Sequence, residues 1–253
     1  MLYNKLTIEF MRINTMVFLI LLGLTFFIQL LASVWFVMVE TGKGKQAALK
    51  FKMLCSLIYI ADALLCVAME NAHTHTYFIL ILCGMIISFI GDIVSSAKED
   101  DNDTALFLTH SVSNFIYLGA YVWALRSLFH TEFSKIALIS VAIPVALLLI
   151  PFTCKKNGRF KLTLIISIIS TTLMFGGALY LGILCQNTGL PAMQSVSCAL
   201  IMGAIAVSFS RLLHTRQQMS PPPALKPQLP KYCAYFFGQM AIACSIILCG
   251  GLK

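Results

Sequence analysis

Apolar residues run along this chain in long blocks separated by short polar breaks. Eight blocks are long enough to predict membrane-spanning helices, over residues 15–38, 51–69, 76–96, 104–126, 135–153, 160–185, 192–214 and 231–250. Several exceed the roughly 18 apolar residues that cross a bilayer as helix. The short alternating segments of a membrane β-barrel are absent from the pattern. The first block is too long for a signal-peptide core and lacks a clear small-residue cleavage site, so it reads as a span. Before the last block stands "RQQMSPPPALKPQLPK", Arg216 to Lys231. Three consecutive prolines cannot continue a helix, so this is an extended loop. The predicted fold class is therefore all-α: a polytopic transmembrane helix bundle of about eight spans, forming one domain over 1–253.

Composition agrees. The chain is 59% hydrophobic and 11% charged, with mean hydropathy +0.87, and soluble domains carry about 25% charge. The net charge of +8 does not imply nucleic acid, because no basic stretch is interleaved with stacking aromatics. It reflects instead where Lys and Arg collect. Thirteen of the 18 fall in the loops after spans 1, 3, 5 and 7, from Lys43 to Lys231. By the positive-inside rule that side is cytoplasmic, which sets both termini outside the cytoplasm. Nine cysteines are scattered singly in apolar segments. With neither C-x-x-C nor a Cys/His cluster, neither a disulfide framework nor a metal site is expected, and no cofactor is implied.

The chemistry-bearing residues gather at that same side. In "SFIGDIVSSAKEDDND" the third span carries Asp92 next to Gly91 just before its end. Asp92 would lie ~6 Å below the surface, His110 of span 4 ~9 Å and Gln239 of span 8 ~12 Å, at 1.5 Å per helical residue. Lys52 opens span 2 and Arg211 closes span 7 at this level. On span 4, His110, Asn114, Tyr117 and Tyr121 share one helical face; on span 8, Tyr232, Tyr235 and Gln239 do so. Ionisable groups in a bilayer cost about 2.5–3.5 kcal/mol each even on the mild insertion scale, so they turn to a polar interior. Plainer readings stand beside this one. Lys52 and Arg211 could snorkel to the surface. His110 and Asn114 could be interhelical hydrogen-bond glue, and the tyrosines belt residues. Asp92 is too short to snorkel far. Asp62, near the middle of span 2, reads as a substrate or proton site or as half of a pair. His73 and His75 read as solvated loop residues.

A faint internal repeat accompanies this. "GMIISFIGD", Gly84 to Asp92, and "GAIAVSFSR", Gly203 to Arg211, each set a charged residue eight positions after a glycine. A four-plus-four arrangement about an axis along the membrane normal would bring Asp92 and Arg211 together as a salt bridge.

These motifs resemble the YhhN-type lysoplasmalogenase family of eight-span membrane proteins, over Lys50 to about Ile247. "GMIISFIGD" is similar to the family's G-[LM]-x-F-S-x-x-G-D. "FLTH", Phe107 to His110, is like F-x-x-[AT]-H on the following helix, and "AYFFGQ", Ala234 to Gln239, is similar to T-Y-Y-x-A-Q on the last. Lys52 matches a family lysine, although Met53 replaces the proline that follows it. Two departures bear on chemistry. The penultimate-helix motif G-A-x-x-F-x-x-S-D ends here in Ser210-Arg211, and H-x-x-Y becomes His110-Ser111-Val112-Ser113.

The resemblance implies an integral membrane hydrolase that cleaves the vinyl ether of lysoplasmalogens to a fatty aldehyde and a glycerophospho-alcohol. Its catalytic residues would be Asp92 and His110. Its substrate-binding residues would be Lys52, Asn114, Arg211, Tyr235 and Gln239. Its partners would be a lysophospholipid-type substrate and the surrounding lipids, with no nucleic acid. A vinyl ether hydrolyses by protonation at carbon, which needs an acid and an anion facing the oxocarbenium ion. Two carboxylates sharing a proton supply both. Arg211 in place of the second carboxylate would make Asp92 a poor acid and shift that role to His110, or silence the site. The alternatives are a family member that binds lipid without cleaving it, and a small-solute or lipid transporter. The single-leaflet placement of the motifs favours a lipid-headgroup site.

Overall fold

The computed structural model describes residues 2–70, 75–97, 104–136, 139, 159–219 and 228–246. It is all-α: among the described residues there are seven long helices and one short one, and no strand. They are α1 (Leu2–Lys43), α2 (Lys45–Glu70), α3 (His75–Ala97), α4 (Thr104–Ser127), α5 (Phe133–Ile136), α6 (Arg159–Asn187), α7 (Pro191–Met219) and α8 (Gln228–Cys244). Segments of α1, α2, α3, α6 and α7 are long and apolar enough to cross a membrane. This is an integral membrane helix bundle. Leu57, Ile90, Phe115 and Phe209 are among the apolar side chains it leaves exposed, as lipid-facing residues would be.

Four differences from the sequence expectation have identifiable causes. Helix α1 begins at Leu2 rather than near residue 15, because neither Gly nor Pro occurs before Gly23. At 42 residues it runs ~63 Å, about twice the hydrocarbon thickness. Helix α4 spans 24 residues, yet it is not among the five apolar segments, because His110, Ser111, Ser113 and Asn114 lower its mean hydropathy; all four are buried in the bundle. Helix α8 holds 17 residues and passes into a 3₁₀ turn at Ser245–Ile246; the rest of the eighth block lies outside the described residues. The fifth predicted span, 135–153, also lies almost wholly outside the described residues.

Two glycines set the hairpins. Gly44 stops α1 at a positive φ of 86°, and its N–H donates to the carbonyl of Glu40 at 3.1 Å, the left-handed stop that glycine adopts without cost. Gly189, at φ 72°, turns the three-residue link between α6 and α7.

Helices α2, α3, α4, α6, α7 and α8 pack each on the next, and α8 closes the ring against α2; α1 lies outside, across α2 and α8. Close approaches fix the register. A Cβ at Gly84 would enter the ring of Tyr117, and one at Gly91 would strike Thr109, so α3 and α4 draw together at two levels. Gly203 and Gly238 face each other similarly: a Cβ on either would stand 3.0 or 2.9 Å from the other's carbonyl oxygen. Small residues at such crossings let membrane helices pack backbone to backbone. The interior these contacts enclose is aromatic, with Tyr59, Tyr77, Tyr117, Tyr121 and Phe236 fully buried, and Phe36 is buried where α1 packs on α8.

Candidate functional site

The N-terminal ends of α2, α4 and α8 and the C-terminal ends of α3 and α7 meet at one end of the ring. Asp92, on the last turns of α3, is 2% exposed there. Lys52 of α2 holds it as an ion pair, Nζ to Oδ1 at 3.4 Å. His110 of α4 sets Nε2 3.7 Å from the same oxygen. The other oxygen, Oδ2, accepts from the hydroxyls of Ser56 and Tyr235, each at 3.0 Å. Three helices besides its own thus converge on one carboxylate. A buried charge is tolerated on these terms, with a counter-ion and its remaining lone pairs satisfied.

Arg211 stands one residue further from Asp92. Its guanidinium carbon lies 4.9 Å from the centre of the Tyr235 ring, a cation–π distance, and the His110 ring meets the opposite side of the network edge-on, 5.4 Å from that same tyrosine. The expected Asp92–Arg211 salt bridge is replaced by this relay. The cause is the ring order: α3 and α7 make no contact, because α8 stands between them. Lys52, on the helix adjacent to α3, takes the ion pair instead.

These residues line a small polar cavity of about 20 Å³ with Leu106, Ser210, His214, Lys231 and Tyr232. A volume near 10–15 Å³ holds one water, so the cavity has room for little more. Lys231 Nζ lies 3.4 Å from His214 Nδ1 and 4.1 Å from the Tyr232 ring centre, while the Tyr232 hydroxyl donates to Glu40 of α1 at 3.1 Å.

Of the seven residues singled out from sequence, five meet here: Lys52, Asp92, His110, Arg211 and Tyr235. Gln239 lies one turn deeper, where its Oε1 accepts from the Tyr117 hydroxyl at 2.7 Å. Asn114 points to α6 and donates to Thr171 at 2.9 Å. Below the carboxylate, Ser88 donates to Ser113 and Ser113 to the carbonyl of Gly84, both at 2.8 Å. Ser113 thus ties α4 to α3. Asp62 is buried far from this cluster, and both its oxygens lack a hydrogen-bond partner among the described residues. His73 lies outside the described residues, as does the side chain of His75.

Sequence reasoning missed Ser56, His214, Lys231 and the pairing of Lys52. The signal was there in part. Ser56 is one turn beyond Lys52, His214 is three residues beyond Arg211, and Lys231 is four before Tyr235, so each sits on the face of a residue already marked. The described residues hold no cluster of three or more His, Cys, Asp or Glu that could bind a metal.

The site can do three things chemically. It offers a fixed anion, a neighbouring imidazole that can carry a proton, and cations for a phosphate or carboxylate. No family model, curated protein or solved structure matches the chain.

Proposed function

We propose that this chain is a lysoplasmalogenase-like integral membrane protein that takes a lysophospholipid at Asp92 and hydrolyses its vinyl ether. The observation that carries the reading is the buried Asp92–His110 pair, 3.7 Å apart, at a bundle end that also gathers Lys52 and Arg211. In this reading His110 gives a proton to the outer vinyl carbon, and the electron pair of the ether oxygen forms the oxocarbenium ion. Asp92, held by Lys52, Ser56 and Tyr235, faces that cation. One water adds at the cationic carbon and returns a proton to His110. The hemiacetal then parts into the glycerophospho-alcohol and the fatty aldehyde. Lys52 and Arg211 meet the phosphate, and Tyr235 orients the carboxylate. Gln239 and Asn114, bonded to Tyr117 and Thr171, support the deeper wall.

The wider frame is part of the same proposal. The chain is one transmembrane domain of about eight spans, 135–153 being the fifth, in two halves of four. The lysine- and arginine-rich end is cytoplasmic, and both termini are outside.

A second reading, a lipid-binding member that does not cleave, is favoured by one observation: both oxygens of Asp92 are already engaged, and Arg211 stands where the family has its second carboxylate. The experiment separates the two. The purified protein in detergent is given a lysoplasmalogen, and aldehyde is measured beside ligand binding. Aldehyde release that Asp92→Asn and His110→Ala each abolish supports the hydrolase. Binding with no aldehyde assigns the second reading, and neither overturns both.

A further inference from the structure

An open groove of about 340 Å³ runs along the membrane face between α6 and α7. Its surface is mainly apolar, with Ile168, Phe175, Ile205 and Phe209 among its walls, and Arg211 enters it from the side nearest Asp92, one turn short of Thr215. From Ile205 to Thr215 the groove follows ten residues of α7, ~15 Å at 1.5 Å per residue. Ligand sites run from about 300 to 1,000 Å³, so it has room for one alkyl chain and not for two.

The charged end is what distinguishes it from an ordinary lipid-facing seam. Arg211 is 7% exposed and belongs at once to the groove and to the polar cavity. Its Nε makes no hydrogen bond among the described residues, and neither does the Ser208 hydroxyl one turn along the groove. A buried donor without a partner is costly, and a ligand oxygen would satisfy it. The somewhat larger groove beside α1, about 370 Å³ and lined by Phe26, Gln29 and Phe237 among others, contains no charged side chain.

We propose that this groove binds an unesterified long-chain carboxylate, with the carboxylate on Arg211 and the chain along α6 and α7 toward the bilayer centre. Guanidinium matches a carboxylate fork to fork. The head must also be singly charged, because Arg211 offers one cation and Asp92 lies across the cavity behind it. A phosphomonoester brings a second negative charge toward that carboxylate. The site rests on the groove and its arginine and not on vinyl ether cleavage, so a catalytically silent protein would still bind.

The test uses the full chain in nanodiscs and radiolabelled oleate, displaced by unlabelled oleate, oleyl alcohol, oleoyl lysophosphatidate or oleoyl lysophosphatidylcholine. Oleate is expected to compete best and oleyl alcohol, the same chain without charge, about tenfold or more weakly, as the loss of a charged hydrogen bond predicts. Arg211→Gln should remove the difference between oleate and the alcohol. Ser208→Phe, which fills the groove and leaves the charge, should weaken oleate and alcohol together, and it keeps the test alive if Arg211→Gln does not fold. Equal competition by oleate and the alcohol overturns the proposal. So does stronger competition by lysophosphatidate, or oleate binding untouched by Ser208→Phe.

Discussion

Lys52 Nζ and Asp92 Oδ1 lie 3.4 Å apart on neighbouring helices, with both side chains at most 5% exposed. Asp92 therefore reaches its counter-ion through the α2–α3 hairpin rather than across the ring. Around this pair the other members arrange themselves: Ser56 one turn along α2, Tyr235 from α8, His110 from α4.

A thermodynamic cycle on that pair checks its weight. Lys52→Met leaves a buried carboxylate without its ammonium and should cost about 3–5 kcal/mol. Asp92→Leu should cost a comparable amount by stranding the ammonium. Lys52→Met/Asp92→Leu should cost clearly less than the two together, because neither charge is then orphaned. Unfolding in mixed detergent measures all four corners. Strict additivity would mean that the pair contributes nothing of its own.

Tyr117 and Gln239 cross the interior of the ring with a 2.7 Å hydrogen bond, and Gly84 provides the space for the tyrosine ring. Tyr117→Phe keeps that packing but strands the amide oxygen, at roughly 1–3 kcal/mol. Tyr117→Phe with Gln239→Leu should recover most of the loss, since both polar partners are then gone. Gly84→Val, whose branch would occupy the ring's position, should be worse than Tyr117→Phe. Thermal melting of the four proteins in one detergent gives the order; a harmless Gly84→Val would contradict the close approach of α3 and α4.

Much of this was legible in the chain. Helical type and the membrane class follow from block length and hydropathy, which depend on local composition alone. The converging polar end was visible because depth along a helix is a matter of counting residues. Lateral order was not. Asp92 and Arg211 are level with one another, yet α8 separates their helices, and no periodicity in either span reports its neighbour. For the same reason Asn114 shared a face with His110 but serves the α4–α6 contact. The first apolar block begins only near 15 because residues 2–14 mix polar with apolar positions, whereas helix geometry continues through them.

Arg211→Asp tests the proposed hydrolase reading. The substitution places a carboxylate one aromatic ring from Asp92, so two acids would share the end of the bundle, and one of them would hold a proton. Aldehyde release from lysoplasmalogen should rise several-fold over the unaltered chain, with each fold-change of ten worth about 1.4 kcal/mol of barrier. Unchanged release from a protein with an unaltered melting point would count against a two-carboxylate mechanism at this site.

Asp62 gives the last prediction. It is buried in the middle of α2, where only the Thr25 hydroxyl of α1 is near it and neither oxygen makes a hydrogen bond within 3.5 Å among the described residues. A polar group buried in this way costs roughly 1–3 kcal/mol by protein mutational measures. Leucine differs little in bulk and carries no such penalty. Asp62→Leu should therefore raise the unfolding midpoint, or at least leave it unchanged, whereas Asp92→Leu lowers it. The two aspartates, 30 residues apart in one chain, would then respond oppositely to the same substitution, because one is held by four neighbours and the other faces only the Thr25 hydroxyl. Melting curves of the two variants in the same detergent decide it. A clear loss of stability in Asp62→Leu would show that the carboxyl is held by a group that binds it in the folded protein.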